Sequence, residues 1–138
     1  MSVLNSINPY NPSRGVSYPQ LSDIALTVRL GRAGSAFKIF RSTTFVERAA
    51  LMKKLAKLLG DRSRELAILI TGEMGKPLKE AEAEVKKCAL VCNFFADNSE
   101  SYLLPRQVET EADDSHVIFQ ALGPVLAIMP WNFPFWQV

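Results

Sequence analysis

The chain is short of the residues from which catalytic and metal centres are most often built. Histidine occurs once, as His116, and cysteine twice, as Cys88 and Cys92. Zinc would need ligands beyond these two cysteines, and a single histidine does not complete a site. Two cysteines also cannot make the disulfide framework of a small secreted fold, so they read as reduced thiols in a cytoplasmic setting. Charge of one sign is missing too: 16 Lys and Arg against 14 Asp and Glu leave a formal net charge of +2. Such a balance argues against nucleic acid or an anionic membrane as partner. Residues 1–12 lack the positive n-region and apolar core of a signal peptide. From Val117 to Val138 there is no ionisable side chain, which superficially meets the length of a membrane span, about 20 residues. Pro124, Pro130 and Pro134 would break that helix several times over, so no membrane span is expected.

What is present fits one soluble domain: 138 residues, 48% apolar and 22% charged, with no internal repeat. Residues 1–20, with Pro9, Pro12 and Pro19, read as an extended arm with room for a short strand. A first helix is expected from about Leu21, capped by Ser22 or Asp23. Ile24, Ala25, Val28, Leu30 and Phe37 would form its buried side, with a break near Gly31 or Gly34. Thr44 and Glu47 form a capping box for a second helix. Its apolar residues are Ala50, Leu51, Leu55, Leu58 and Leu59, and Gly60 would take the left-handed position at its end. A third helix, Asp61 to Met74, carries Leu66, Ala67, Leu69 and Ile70 and ends at Gly75. Pro77 suits the first turn of a fourth, which reaches Asn98 or beyond, with Glu80, Glu82 and Glu84 near its positive end. The stripe Ala81, Val85, Cys88, Cys92, Phe95 gives that helix one buried face, on which the two cysteines read as small core residues.

The pattern then changes. Residues 105–114 are polar and turn-like, His116–Phe119 reads as a strand, and Val125–Met129 reads as a strand of the kind buried in a parallel sheet. Only nine residues follow Met129, too few for the crossover a parallel neighbour needs, and four of them are Trp131, Phe133, Phe135 and Trp136. The sequence therefore reads as cut within a domain, with an apolar strand edge and four aromatics left uncovered. Gly72–Lys76 lacks the strand and the spacing of a phosphate loop and reads as a helix end. His116 has no nucleophilic partner at a diagnostic spacing, and Arg48, Lys53, Lys54, Lys57, Arg62 and Arg64 read as a solvated face. Asn132, bracketed by Pro130 and Pro134 after an apolar strand, has two readings. It shapes a turn, or it aims its amide N–H at a developing negative charge.

Gly123-Pro-Val-Leu-Ala-Ile-Met-Pro-Trp-Asn-Phe-Pro134 resembles the motif that ends the first cofactor-domain strand of the aldehyde dehydrogenase superfamily. Glu73-Met-Gly-Lys-Pro77 and the segment Ala33–Arg48 resemble other parts of that family, and the likeness runs from about Ser6 to the last residue. The wording of Glu73–Pro77 and Phe133–Val138 is most similar to the succinate-semialdehyde dehydrogenase branch. The family's Asn-Pro-x-x-Gly has only the counterpart Asn8-Pro-Tyr-Asn-Pro12.

The resemblance implies an α/β fold: N-terminal helices, a β-hairpin and the first strand of an incomplete Rossmann-like cofactor domain. It divides the chain into an arm (1–20), a helical segment (21–104), an oligomerisation-type strand region (105–122) and the strand with the Pro-Trp-Asn motif (123–138). It implies NAD- or NADP-dependent oxidation of an aldehyde through a cysteine thiohemiacetal, with a glutamate as general base. By that resemblance Asn132 is the oxyanion donor, Met129, Pro130, Trp131 and Asn132 lie along the cofactor, and Phe133 and Trp136 line the aldehyde tunnel. No metal is implied. The strand about His116–Gln120 belongs to the hairpin through which the family forms homo-oligomers. The family's nucleophile and base come later in the sequence than the Pro-Trp-Asn motif, so Cys88 and Cys92 do not take that role. The chain alone is expected to be inactive. A non-enzymatic helical interaction module derived from the family is the alternative.

Overall fold

A computed structural model describes residues 3–138; the first two residues of the expected arm lie outside it. The arm forms a hairpin, with strand β1 (Val3–Ser6) antiparallel to β2 (Val16–Pro19) and Val3 opposite Pro19. Between them Asn11 caps a 3-10 turn over Pro12–Arg14.

Four helices follow. Ser22 caps α1 (Asp23–Phe40), its side chain accepting from Ala25 N. Contrary to expectation, α1 runs unbroken through Gly31 and Gly34 and buries no residue. Each helical glycine costs only about 1 kcal/mol, which a helix of 18 residues absorbs. The Thr44–Glu47 capping box opens α2 (Phe45–Asp61): Thr44 N donates to Glu47 Oε2 at 2.7 Å, and Glu47 N donates to Thr44 Oγ1 at 3.2 Å. The Glu47 carboxylate accepts from both Thr44 N and Thr44 Oγ1, and these two hydrogen bonds hold its carboxyl below the usual range. Gly60 is not the left-handed terminator. The helix continues through it to Asp61, which pairs with Lys57 one turn back. That role falls to Gly75, at φ 79°, after α3 (Ser63–Met74). Pro77 stands at the cap of α4 (Leu78–Leu103), and Pro105 halts the helix by holding Leu104 extended.

The core lies where α2 and α3 pack on α4, around Ala56, Leu59, Ala67, Ile70, Ala81, Val85, Cys88 and Cys92. It uses one edge of the apolar face of α2, so Leu51, Leu55 and Leu58 remain exposed, as do Leu69 and Phe95. The basic residues of α2 and α3 meet acids at the surface, Lys53 with Asp97 and Arg62 with Glu65.

Strands β3 (Arg106–Gln107) and β4 (His116–Val117) form a second short antiparallel hairpin. The expected strand to Phe119 stops early because the next residue that could bond across this ladder, Leu104 opposite Phe119, already gives its N–H to the Glu100 carbonyl at the end of α4. Val125–Met129 forms no strand either. Residues 125–128 run out exposed, with no strand beside them among the described residues, and Met129 is half-buried. Buried parallel strands exist only through their neighbours. Among the described residues no helix is long and apolar enough to cross a membrane.

Candidate functional site

The Pro-Trp-Asn segment returns to the helices rather than hanging free. A turn begins at Pro130, whose carbonyl accepts from Phe133 N at 3.4 Å. Phe135 and Trp136 then pack half-buried against the core, so two of the four aromatics are covered after all.

The groups that receive this turn are Lys76 and Glu84. Gly75 sets the place of Lys76. The left-handed backbone at Gly75 turns the chain out of α3, and Pro9 lies so close that an added Cβ would sit 2.7 Å from its Cγ. The N-terminal hairpin clasps the same corner: Tyr10 OH donates to the Gly75 carbonyl at 2.9 Å, and Ser6 Oγ donates to the Glu73 carboxylate. Lys76, its side chain 9% exposed, reaches back to Glu84, 3% exposed, with Nζ 2.5 Å from Oε2. The second oxygen of Glu84 accepts from Phe135 N at 3.1 Å and Trp136 N at 3.2 Å. Lys76 Nζ also donates to the Asn132 carbonyl at 3.0 Å and stands 3.8 Å from the centre of the Phe133 ring. Lys87 Nζ lies 3.7 Å from the centre of the Trp136 ring. A buried charge is tolerated when it is paired and its remaining hydrogen-bonding capacity is used, and both conditions hold here.

The residues expected at the site are thus drawn together in part. Asn132, Phe133 and Trp136 gather over the link between α3 and α4. Asn132 is exposed while its backbone carbonyl is tied down. Met129 is half-buried, and Pro130 and Trp131 are exposed, Trp131 at 73%. Cys88 and Cys92 are free, buried core residues of α4 far along the helix from its start. Burial pushes both thiols above their usual range, and for Cys88 the nearby Glu84 carboxylate adds to the effect. Such thiols are poor nucleophiles. His116 is exposed in β4, with Nδ1 3.4 Å from Asp114 Oδ1. Among the described residues no group of three or more His, Cys, Asp or Glu stands together that could hold a metal ion.

Sequence reasoning missed Lys76 and Glu84. A signal was available for Glu84: it lies between Ala81 and Cys88 on the buried stripe of α4. A carboxylate on an apolar face requires a partner.

The family model described as the aldehyde dehydrogenase family matches residues 2–138, and the chain belongs to that family. It is 44% identical over 136 residues to a protein of Synechocystis sp. named probable succinate-semialdehyde dehydrogenase (NADP+), covering 99% of this chain and 30% of the relative. It is 38% identical over 133 residues to the succinate semialdehyde dehydrogenase (NAD(P)+) Sad of Escherichia coli K12, covering 93% of this chain and 28% of the relative. The fold matches the succinic semialdehyde dehydrogenase of Streptococcus pyogenes, solved in complex with NADP+. The TM-score is 0.89 at 30% identity, over 96% of this chain and 30% of that one. The chain therefore spans about 30% of the length of the relatives it matches. The likeness supports the α/β reading as a partial aldehyde dehydrogenase fold.

Proposed function

We propose that these residues are the N-terminal portion of an NAD(P)-dependent aldehyde dehydrogenase that oxidises succinate semialdehyde to the carboxylic acid. The observation that carries this reading is the Pro130–Pro134 turn, tied to the helical core through the Asn132 carbonyl while the residue itself stays exposed. The Asn132 amide N–H donates to the aldehyde oxygen as that atom gains negative charge in the thiohemiacetal. Cys88 and Cys92 do not supply the attacking thiolate, because both are buried with raised pKa. The chain alone accordingly gives no turnover.

Residues suited to the cofactor are Met129, Pro130, Trp131 and Asn132. Among the described residues this stretch pairs with no strand and is mostly exposed; the Pro130 and Asn132 carbonyls are taken by Phe133 N and Lys76 Nζ, and the other backbone polar groups are open to a ribose hydroxyl. The nicotinamide, when bound, supplies the hydride acceptor. Phe133 and Trp136 offer ring surface to the aldehyde chain. The divisions 1–20, 21–104, 105–122 and 123–138 then act as arm, helical support, oligomerisation strand and motif. The segment about His116–Gln120, where Val117, Ile118 and Phe119 are exposed, is the one through which copies of the complete enzyme pair as a homo-oligomer. Two free thiols suit a cytoplasmic setting.

The chain should give no aldehyde-dependent NADP reduction by itself. Joined to the remaining two-thirds of the Synechocystis relative, it should turn over succinate semialdehyde, and Asn132→Ala should lower kcat by about 10²–10³ with little change in cofactor affinity. Wild-type kcat in that variant would remove Asn132 from the chemistry. The second reading, a non-enzymatic interaction module, has α1 in its favour, since that helix buries no residue. No turnover in the joined protein would support it.

A further inference from the structure

We propose that Lys76 and Glu84 are positioning residues: their buried ion pair is a mooring that sets the place of the Pro130–Trp136 loop and, through it, of Asn132. The inference rests on the proposed function only for what Asn132 does, since the mooring itself is a matter of geometry.

The pair could instead serve simply to join α3 to α4, but its bonds argue otherwise. One oxygen of Glu84 satisfies Lys76 and the other takes two successive backbone N–H groups, those of Phe135 and Trp136. Lys76 gives its remaining capacity to the Asn132 carbonyl and the Phe133 ring. The loop is therefore gripped on both sides of Pro134, by charge-assisted hydrogen bonds to backbone that do not depend on the loop's side chains. A buried ion pair is a poor device for stability alone, because well-packed apolar residues of similar volume do as well or better. Fixing two backbone donors and one backbone acceptor is something apolar residues cannot do.

The chain carries its own reporters. Its two tryptophans, Trp131 and Trp136, both lie in this loop. Trp136 is half-buried beneath Lys87, and Trp131 stands in solvent. In the 138-residue chain, Trp131→Phe isolates the emission of Trp136, and Trp136→Phe gives that of Trp131 as the solvent-exposed standard. The deciding variant is Lys76→Met with Glu84→Leu, which removes both charges and leaves no unpaired buried ion. Far-UV circular dichroism follows the helices, and acrylamide quenching follows the loop.

The expected result is a retained helical signal, with the Trp136 emission shifted to the red and its quenching raised to that of Trp131. Glu84→Gln, which keeps one acceptor oxygen, should fall between wild type and the double variant. A double variant with intact helices and wild-type Trp136 emission and quenching would overturn the proposal. Loss of the helical signal in the double variant would also overturn it, by assigning the pair to the bundle. No aldehyde or cofactor enters these measurements, so their failure is separate from a failure of Asn132→Ala in the joined enzyme.

Discussion

Helix α1 is the more apolar of the two longest helices and α4 the more polar, yet α4 buries five residues and α1 none. The difference lies in arrangement. In α4 the residues Ala81, Glu84, Val85, Cys88 and Cys92 recur at steps of three and four and make one face. In α1 the apolar residues Ile24, Leu26, Val28, Leu30, Ile39 and Phe40 point to every side. A helix with one apolar face is satisfied by one layer of neighbours. A helix apolar all round is built to be covered all round, and the described residues supply α1 no such cover.

The strongest test of that contrast places the same charge on each helix. Val85→Asp puts a carboxylate at a position with no exposure. It should cost roughly 3 kcal/mol or more, enough to unfold the bundle in a urea titration followed by circular dichroism. Ile24→Asp, at a position 80% exposed, should move the same midpoint by no more than about 0.5 kcal/mol. Equal losses would show that α1 is covered in solution. Gly75→Ala comes next. It forces a side chain into the left-handed region and against Pro9, so a loss of about 1–2 kcal/mol is expected. The hairpin should loosen with it, seen as faster proteolysis before Ser22.

Gly31→Ala should go the other way. Nothing lies within 4 Å of the added methyl, and replacing an interior helical glycine gains about 0.5–1 kcal/mol. A loss there would mean that α1 is packed against something at that point. The smallest effect concerns the caps. Because the folded pKa of Glu47 is lowered, its contribution is present above its unfolded pKa and fades as pH falls through the folded value. The start of α2 should therefore lose amide protection, relative to the intrinsic exchange rate, as the solution is acidified, while the start of α1, whose cap bond is to the Ser22 hydroxyl and not to the first-turn Asp23, should not follow. Parallel behaviour of the two helix starts would rule out Glu47 as the cause.

Several helix boundaries were legible in the sequence because a cap is a local event: Ser22 and Thr44 with Glu47 at starts, and Gly75 at an end, act on backbone within a few residues. The core face of α4 was legible for the same reason. Expectations failed where the outcome depends on distant chain. Gly60 stayed helical because α2 had further turns to make. Val125–Met129 did not become a strand because strands are made by their neighbours. Ile24, Val28 and Leu30 were expected to be buried, but the described residues bury none of the helix that carries them. At the candidate site, the Pro-Trp-Asn motif was legible as a motif, whereas its anchorage was not. Lys76 and Glu84 meet residues 51 to 56 positions further on, a distance no local spacing rule spans.

That separation has a consequence for synthesis on the ribosome. Lys76 and Glu84 are only eight residues apart and can close on each other as soon as the first turns of α4 emerge. Both charges are then neutralised long before their final guests exist. When Asn132, Phe135 and Trp136 leave the tunnel, they meet a seat already assembled, and their contacts with it close at the low cost of docking onto a finished template.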